Sequence, residues 1–141
     1  MLIPLQFLAF AFASAVGLTL LFAFWIPVPS TTLATWAAGE ALLLAVALLL
    51  FVAHLLNGAY GHTTARFSVN RLMKGDLKVL FVWGMLLGGL LLPLLLGLYG
   101  SLWASPAPDL SSLALAGVIT LPGNWLSKYV VIKAGAYAPF L

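Results

Sequence analysis

The stretch Ala41–Ala53, ALLLAVALLLFVA, contains no polar side chain. A helix built from it is apolar on every side, so it leaves no face suited to water. The flanking residues extend this apolar segment to about residues 35–57, which is long enough to cross a bilayer. The stretch therefore predicts a membrane-spanning helix, and the fold depends on how many similar segments accompany it.

The whole chain has the same character. Its 141 residues are 64% hydrophobic and 6% charged, with a mean hydropathy of +1.16. In a soluble domain about a quarter of the residues are charged, so lipid is the expected solvent of this chain. The net charge of +3 comes from too few basic residues to form a nucleic-acid-binding surface, so no nucleic-acid partner is expected. The absence of cysteine excludes disulfides and thiolate ligation of a metal by this chain.

Three further apolar segments cover about residues 5–26, 79–99 and 110–132. With residues 35–57 they predict an all-α integral membrane four-helix bundle, formed by residues 1–141 as a single transmembrane domain. No Lys or Arg precedes the first segment, so we expect a retained spanning helix instead of a cleaved signal peptide. The expected location is the inner or plasma membrane, with multiple crossings.

Four crossings place both termini and all six basic residues on one side of the membrane. These residues are Arg66, Arg71, Lys74, Lys78, Lys128 and Lys133. The positive-inside rule makes that side cytoplasmic, although a basic face is equally suited to docking a partner subunit. Most of the charge falls in residues 58–78, where Phe67 and Met73 are interleaved with it. That pattern predicts a short amphipathic stretch lying at the membrane interface.

Glycines and a proline in the third segment indicate how it packs. Gly84 and Gly88 form a small-xxx-small pair, which lets a neighbouring helix approach closely and is one candidate contact with another membrane subunit. Pro93 predicts a kink, with the freed backbone groups satisfied by neighbouring helices.

The fourth segment contains Pro122, Gly123 and Asn124 near its middle. These residues predict an interruption of the helix, which is tolerated at that depth only where protein or a water-filled cavity surrounds it. The amide of Asn124 is expected to satisfy the backbone groups that the interruption exposes.

Glu40 is the only acidic residue inside a predicted span. An ionisable group there is a functional candidate because hydrocarbon penalises it by several kcal/mol. Glu40 lies only four residues after Trp36, or about 6 Å along the helix, which is within reach of the headgroups. The alternative is therefore an anchoring acid, or an interhelical hydrogen bond close to the membrane surface.

His54, Lys128 and Tyr129 lie at similar depth near the basic side. Such residues at the edge of an apolar bundle could hydrogen-bond the carbonyl oxygens of a quinone, and His54 could exchange a proton. The alternative is snorkelling by Lys128 and an interfacial-belt role for Tyr129. His62 is the only other histidine and falls in a loop, so haem held by two histidines of this chain is not expected.

Two stretches have residue patterns more specific than those of a generic membrane helix. Residues 65–97 read ARFSVNRLMKGDLKVLFVWGMLLGGLLLPLLLG, and residues 121–140 read LPGNWLSKYVVIKAGAYAPF. Together they resemble the carboxyl-terminal half of the polysulfide reductase membrane-subunit family (NrfD/PsrC-like). The matching positions are Leu72, Gly75 and Leu77 before the third helix, Gly84, Gly88 and Pro93 within it, Lys128, Tyr129, Ala134 and Gly135 at the end of the fourth, and Glu40.

Two departures from the family accompany this resemblance. Lys128 stands where the family usually has Arg. Lysine keeps the positive charge but lacks the planar guanidinium group that can form two parallel hydrogen bonds. Family members have eight or more spanning helices in two four-helix bundles, and this chain resembles the second bundle. The best-known quinone-contacting residues of the family lie in the first bundle, so they have no counterparts here.

The resemblance implies a non-catalytic membrane anchor subunit of a multisubunit respiratory oxidoreductase, which helps couple electron transfer between an iron–sulfur partner and the quinone pool. The implied partners are an iron–sulfur electron-transfer subunit, a molybdopterin catalytic subunit, and either another membrane subunit or a second copy of this chain. No catalytic residue, covalent cofactor or metal ligand is expected in the chain, and quinone or quinol is the one candidate ligand.

Two other functions fit the same residues. A structural or assembly membrane subunit without its own quinone site requires none of the polar candidates. A small proton-coupled transporter would use one intramembrane glutamate and a second copy of the chain, but such transporters usually carry the glutamate in the middle of the first helix.

Overall fold

The computed structural model describes residues 2–61, 63–100 and 109–135. The elements are α1 (Leu2–Phe22), α2 (Ser30–Tyr60), α3 (Thr63–Lys74), a π-helix named π1 (Leu80–Leu91), α4 (Leu92–Leu98) and α5 (Leu110–Lys133). Within these three ranges there is no strand, so the prediction of an all-α protein is confirmed.

Three helical segments are long and apolar enough to span a membrane: Pro4–Phe22, Ser30–Tyr60 and Leu80–Leu98, the last of which combines π1 and α4. Helix α5 has 24 residues and is also long enough. Its serines, lysines, asparagine and proline make it less apolar than the other three. Three of the four predicted spans are therefore long and apolar enough to cross a membrane, and the fourth is long enough but less apolar.

The first two helices differ in length from the prediction. Helix α1 ends at Phe22 instead of residue 26, because the next residues turn, with the Trp25 N–H donating to the Phe22 carbonyl at 3.0 Å. Helix α2 begins directly after Pro29 and has 31 residues. Its length is about 46 Å, well beyond the ~30 Å hydrocarbon core, so its ends reach the headgroup regions.

The long helices form an antiparallel bundle in which α1 packs against α2 and α5, while α4 packs against α2 and α5. Two contacts fix the direction of α5 relative to α1. The Asn124 side chain donates to Ser14 at 2.9 Å, and Gly117 lies directly against Gly17. Because the later residue of α5 pairs with the earlier residue of α1, the two helices run in opposite directions.

The predicted glycine pair of the third segment is partly wrong. The Leu92 N–H donates to the Leu87 carbonyl, five residues back, which is the hydrogen-bond pattern of a π-helix. Gly89 packs on α5, while Gly88 faces only the carbonyl of Trp83 in its own helix. The wider π turn brings residues five apart nearer to one side than an α-helix does, and here Gly84 and Gly89 are the two that meet α5.

The glycine contacts of π1 lie inside this chain. A Cβ atom at Gly84 would collide with the side chain of Leu126. A Cβ atom at Gly89 would lie 2.7 Å from the Cα of Gly123. Gly84, Gly89 and Gly123 thus allow π1 and α5 to pack closely.

Neither proline ends the helical backbone that contains it. Pro93 is buried at the second residue of α4, where the hydrogen-bond pattern changes from π to α, and the backbone stays helical on both sides. Helix α5 continues through Pro122, so the predicted interruption there is wrong. A proline removes only one N–H, and neighbouring helices stabilise the rest of α5. Asn124 bonds Ser14 of α1 instead of freed backbone groups.

Candidate functional site

Glu40 lies deep in the bundle, at the junction of α1, α2 and α5. Its exposed fraction is 1%. Because α2 begins at Ser30, Glu40 lies ten residues into the helix, about 15 Å along its axis. The interhelical hydrogen bond expected of Glu40 is present, to Thr120 of α5, and its depth in the membrane stays a prediction.

Two glycines make room for this carboxyl group. A Cβ atom at Gly17 would lie 2.9 Å from Glu40 Oε1 and 2.9 Å from the Cα of Gly117. A Cβ atom at Gly117 would overlap the carbonyl of Gly17. Helices α1 and α5 thus meet backbone to backbone, and the Glu40 side chain from α2 closes over their contact.

The polar contacts around Glu40 come from α5 and α1. The Thr120 hydroxyl lies 3.1 Å from Glu40 Oε1 and 2.8 Å from the Ala116 carbonyl. One turn later, Asn124 donates to the Ser14 hydroxyl. Glu40 Oε2 and Asn124 Oδ1 are buried and have no hydrogen-bond partner among the described residues. The arrangement is a compact polar cluster with one carboxyl group and two oxygens able to accept further hydrogen bonds.

The structure does not join the other three candidates into one site. His54, Lys128 and Tyr129 are half-buried to exposed, and no hydrogen bond of the described residues links any two of them. The Tyr129 ring stacks on Trp125 with centroids 5.7 Å apart, and its hydroxyl accepts from Lys133 Nζ at 2.9 Å. An aromatic pair capped by a lysine is typical of a membrane interface.

The two stretches that carry the family resemblance meet at one end of the bundle. Ser68 of α3 donates to the carbonyl of Gly135 at 3.2 Å, and Arg71 donates to the carbonyl of Lys133 at 3.3 Å. Gly135 adopts a φ of 67°, which favours glycine, just after α5 ends. Leu72, Leu77, Val130 and Ala134, which come from both stretches, share one apolar core.

We call this region the basic end, defined by α3, the turn after it and the last residues of α5. Its exposed cationic side chains are Arg66, Lys74, Lys78 and Lys133. The amphipathic stretch predicted for residues 58–78 corresponds mainly to α3, which exposes Phe67 and Met73 together with Arg66 and Lys74. The basic end therefore presents a mixed cationic and apolar surface.

An ion pair stabilises the turn of the basic end. Arg71 Nε and Nη2 donate to the two carboxylate oxygens of Asp76 at 2.9 and 3.0 Å. The hydrogen bonds from Arg71 and its charge hold the pKa of Asp76 below its usual value. Both side chains are largely exposed, so we expect a small contribution to stability.

Replacing Arg71 with glutamine should therefore raise the pKa of Asp76 toward that of an exposed aspartate. A lowered folded-state pKa stabilises the fold above the unfolded-state pKa, and that contribution is lost as pH falls through the folded-state pKa. Carbon-13 NMR titration of the aspartate carboxyls measures both values. Asp109 is the internal control, because the Ser111 hydrogen bond lowers its pKa and Arg71 does not contact it. An unchanged Asp76 midpoint in the variant contradicts the assignment.

Sequence reasoning missed four residues of the Glu40 cluster. Ser14 and Gly17 are three residues apart on α1, while Gly117 and Thr120 are three residues apart on α5. Spacings of three place each pair on one helix face. Small or polar residues at this spacing are a signal that each helix has a packing face, but the spacing does not say which two helices meet.

The chain matches no family model, no curated protein and no solved structure. The resemblance to the polysulfide reductase membrane subunits therefore stays a prediction.

Proposed function

We propose that this chain is a membrane anchor subunit of a multisubunit respiratory oxidoreductase in the inner or plasma membrane. The observation that supports the proposal best is the meeting of residues 65–97 and residues 121–135 at the basic end, while residues 136–140 of the second stretch lie outside the described residues. Their joint packing is what one structural unit requires, and the antiparallel order of the helices also brings them to the same end of the bundle.

Four membrane crossings are part of this proposal. Helix α5 is antiparallel to both α1 and π1 and packs along them, from Gly117 beside Gly17 to Leu126 beside Gly84. Its neighbours α1 and the π1–α4 segment are both long and apolar enough to span. A helix enclosed at such depth between spanning helices traverses the same hydrocarbon layer, and its polar residues are tolerated where they face protein.

The basic end is the proposed docking surface for the iron–sulfur subunit. Arg66, Lys74 and Lys78 are exposed there and complement an acidic partner. A molybdopterin catalytic subunit would attach through the iron–sulfur subunit. Because His54, Lys128 and Tyr129 do not form one site, we place the quinone contact in the accompanying membrane subunit or at its boundary with this chain.

Reversing two charges of the basic end tests the docking surface. The double variant Lys74→Glu/Lys78→Glu should reduce the iron–sulfur protein recovered with this chain by about tenfold, since like charges across an interface cost more than 1.4 kcal/mol. The measurement is visible absorbance of the complex after extraction in mild detergent. The control variant Lys74→Arg/Lys78→Arg keeps the charge and should keep the partner.

Recovery of a colourless wild-type chain with no partner would instead favour the structural or assembly subunit. The proton-coupled transporter has less support, because Glu40 is enclosed by helices of its own chain and is not presented to a second copy. A chain that extracts as a bare dimer and moves protons across vesicles would restore that alternative.

A further inference from the structure

The hydrogen bonds of the Glu40 cluster constrain where protons lie. The Thr120 hydroxyl has one proton but lies within hydrogen-bond distance of two oxygens, Glu40 Oε1 and the Ala116 carbonyl. The Ala116 carbonyl can only accept and its contact is the shorter at 2.8 Å, so we assign the proton of Thr120 to it. The contact of 3.1 Å to Glu40 is then satisfied only if the carboxyl group donates to the Thr120 oxygen.

The surroundings of the carboxyl group lead to the same assignment. An ionised carboxylate offers two oxygens and about four acceptor positions. Here Oε2 has no partner among the described residues, and the one ion pair of those residues, Arg71–Asp76, lies at the basic end. A buried carboxylate with a single hydroxyl contact and no cation is strongly penalised, whereas a neutral acid needs one acceptor and tolerates this site.

We propose that Glu40 is a proton-binding site, in which a neutral carboxylic acid donates its proton to the hydroxyl of Thr120. Gly17 and Gly117 bring α1 and α5 close enough to exclude other groups from the side of Oε1. Glu40 Oε2, the carbonyl oxygen of the neutral acid, and Asn124 Oδ1 are buried and have no partner among the described residues. This inference does not depend on the anchor role.

The composition of the chain permits a direct test, because Glu40 is its only glutamate. Glutamate labelled with carbon-13 at the side-chain carboxyl therefore reports one carboxyl group. Infrared spectra of the full chain in detergent at neutral pH should show the labelled C=O stretch of a protonated acid, with a shift in heavy water. A spectrum with only the labelled carboxylate bands overturns the proposal, and this measurement requires no variant to fold.

A second measurement tests the hydrogen bond itself. The variant Thr120→Val removes the hydroxyl at nearly constant volume, so the C=O band of Glu40 should move to higher frequency. The matched control is Thr35→Val, because Thr35 lies on the same helix as Glu40 but is exposed and bonds only the Thr31 carbonyl. The control should leave the band in place. An unchanged band in Thr120→Val contradicts the assignment of Thr120 as the acceptor.

Discussion

Replacing Gly117 with valine should lower the free energy of unfolding by about 3 kcal/mol, the upper part of the usual range for overpacking. Even the Cβ atom of the new side chain would overlap the carbonyl of Gly17. Backbone atoms cannot move aside individually, so α1 and α5 must separate. Their separation would also lengthen the contact between Thr120 and Glu40. Reversible unfolding in mixed detergent micelles measures the loss.

The same substitution at Gly39 is the control. Gly39 lies beside Glu40 on α2, and a Cβ atom there would have no neighbouring atom within 4 Å. Valine is a slightly better helix former than glycine, so Gly39→Val should change stability by less than about 0.5 kcal/mol. If both variants are equally stable, α1 and α5 are not in backbone contact, and the environment described for Glu40 is wrong.

Replacing Gln6 with methionine should have the opposite effect on stability and raise the free energy of unfolding by about 1–3 kcal/mol. Gln6 is fully buried on α1, and neither its amide nitrogen nor its oxygen has a partner among the described residues. Methionine has a similar unbranched shape and removes the polar atoms whose hydrogen bonds are not replaced. The same unfolding assay applies.

Asn124→Leu provides the contrast for Gln6. Both residues are amides inside the bundle, but Asn124 donates to Ser14 across α1 and α5. Losing that bond should lower stability by about 0.6–1.7 kcal/mol, the range for hydrogen bonds between membrane helices. A decrease in stability for Gln6→Met as well would mean that the Gln6 amide has a partner in the folded protein.

The class of fold could be predicted from sequence because lipid imposes a simple rule. A segment that is apolar on all sides and about 20 residues long satisfies its backbone only as a helix. That rule identified α1, α2 and the third segment directly. It does not set their ends, because Ser30 and the threonines after it are as compatible with the first turn of a helix as with a loop.

The packing of the helices was harder to predict, since it depends on geometry that the sequence shows only indirectly. The spacing of Gly84 and Gly88 assumed an α-helix, and the π-helix replaced Gly88 with Gly89 in the contact. Pro122 suggested an interruption because its missing N–H is visible in the sequence, whereas the support from neighbouring helices is not. Glycine contacts between distant segments, such as Gly17 with Gly117, require the tertiary structure.

Of the candidate site, the sequence predicted only Glu40, because the cost of burying its charge made that residue notable. Glu40 was identified because a carboxyl group in hydrocarbon requires a reason. Its partner Thr120 lies 80 residues away, and the sequence does not show that the two residues meet. His54, Lys128 and Tyr129 were grouped by depth alone, and depth does not say which helices are neighbours.

Labelling of single cysteines from each side of the membrane tests most directly whether α5 crosses the bilayer and brings both resembling stretches to one side. The chain has no cysteine, so each introduced thiol reports alone. We predict that Ile26→Cys and Ser111→Cys react from one side, while Met73→Cys and Lys133→Cys react from the other. Reaction of Ser111→Cys and Lys133→Cys from the same side would contradict the four-helix membrane bundle and the docking surface built on it.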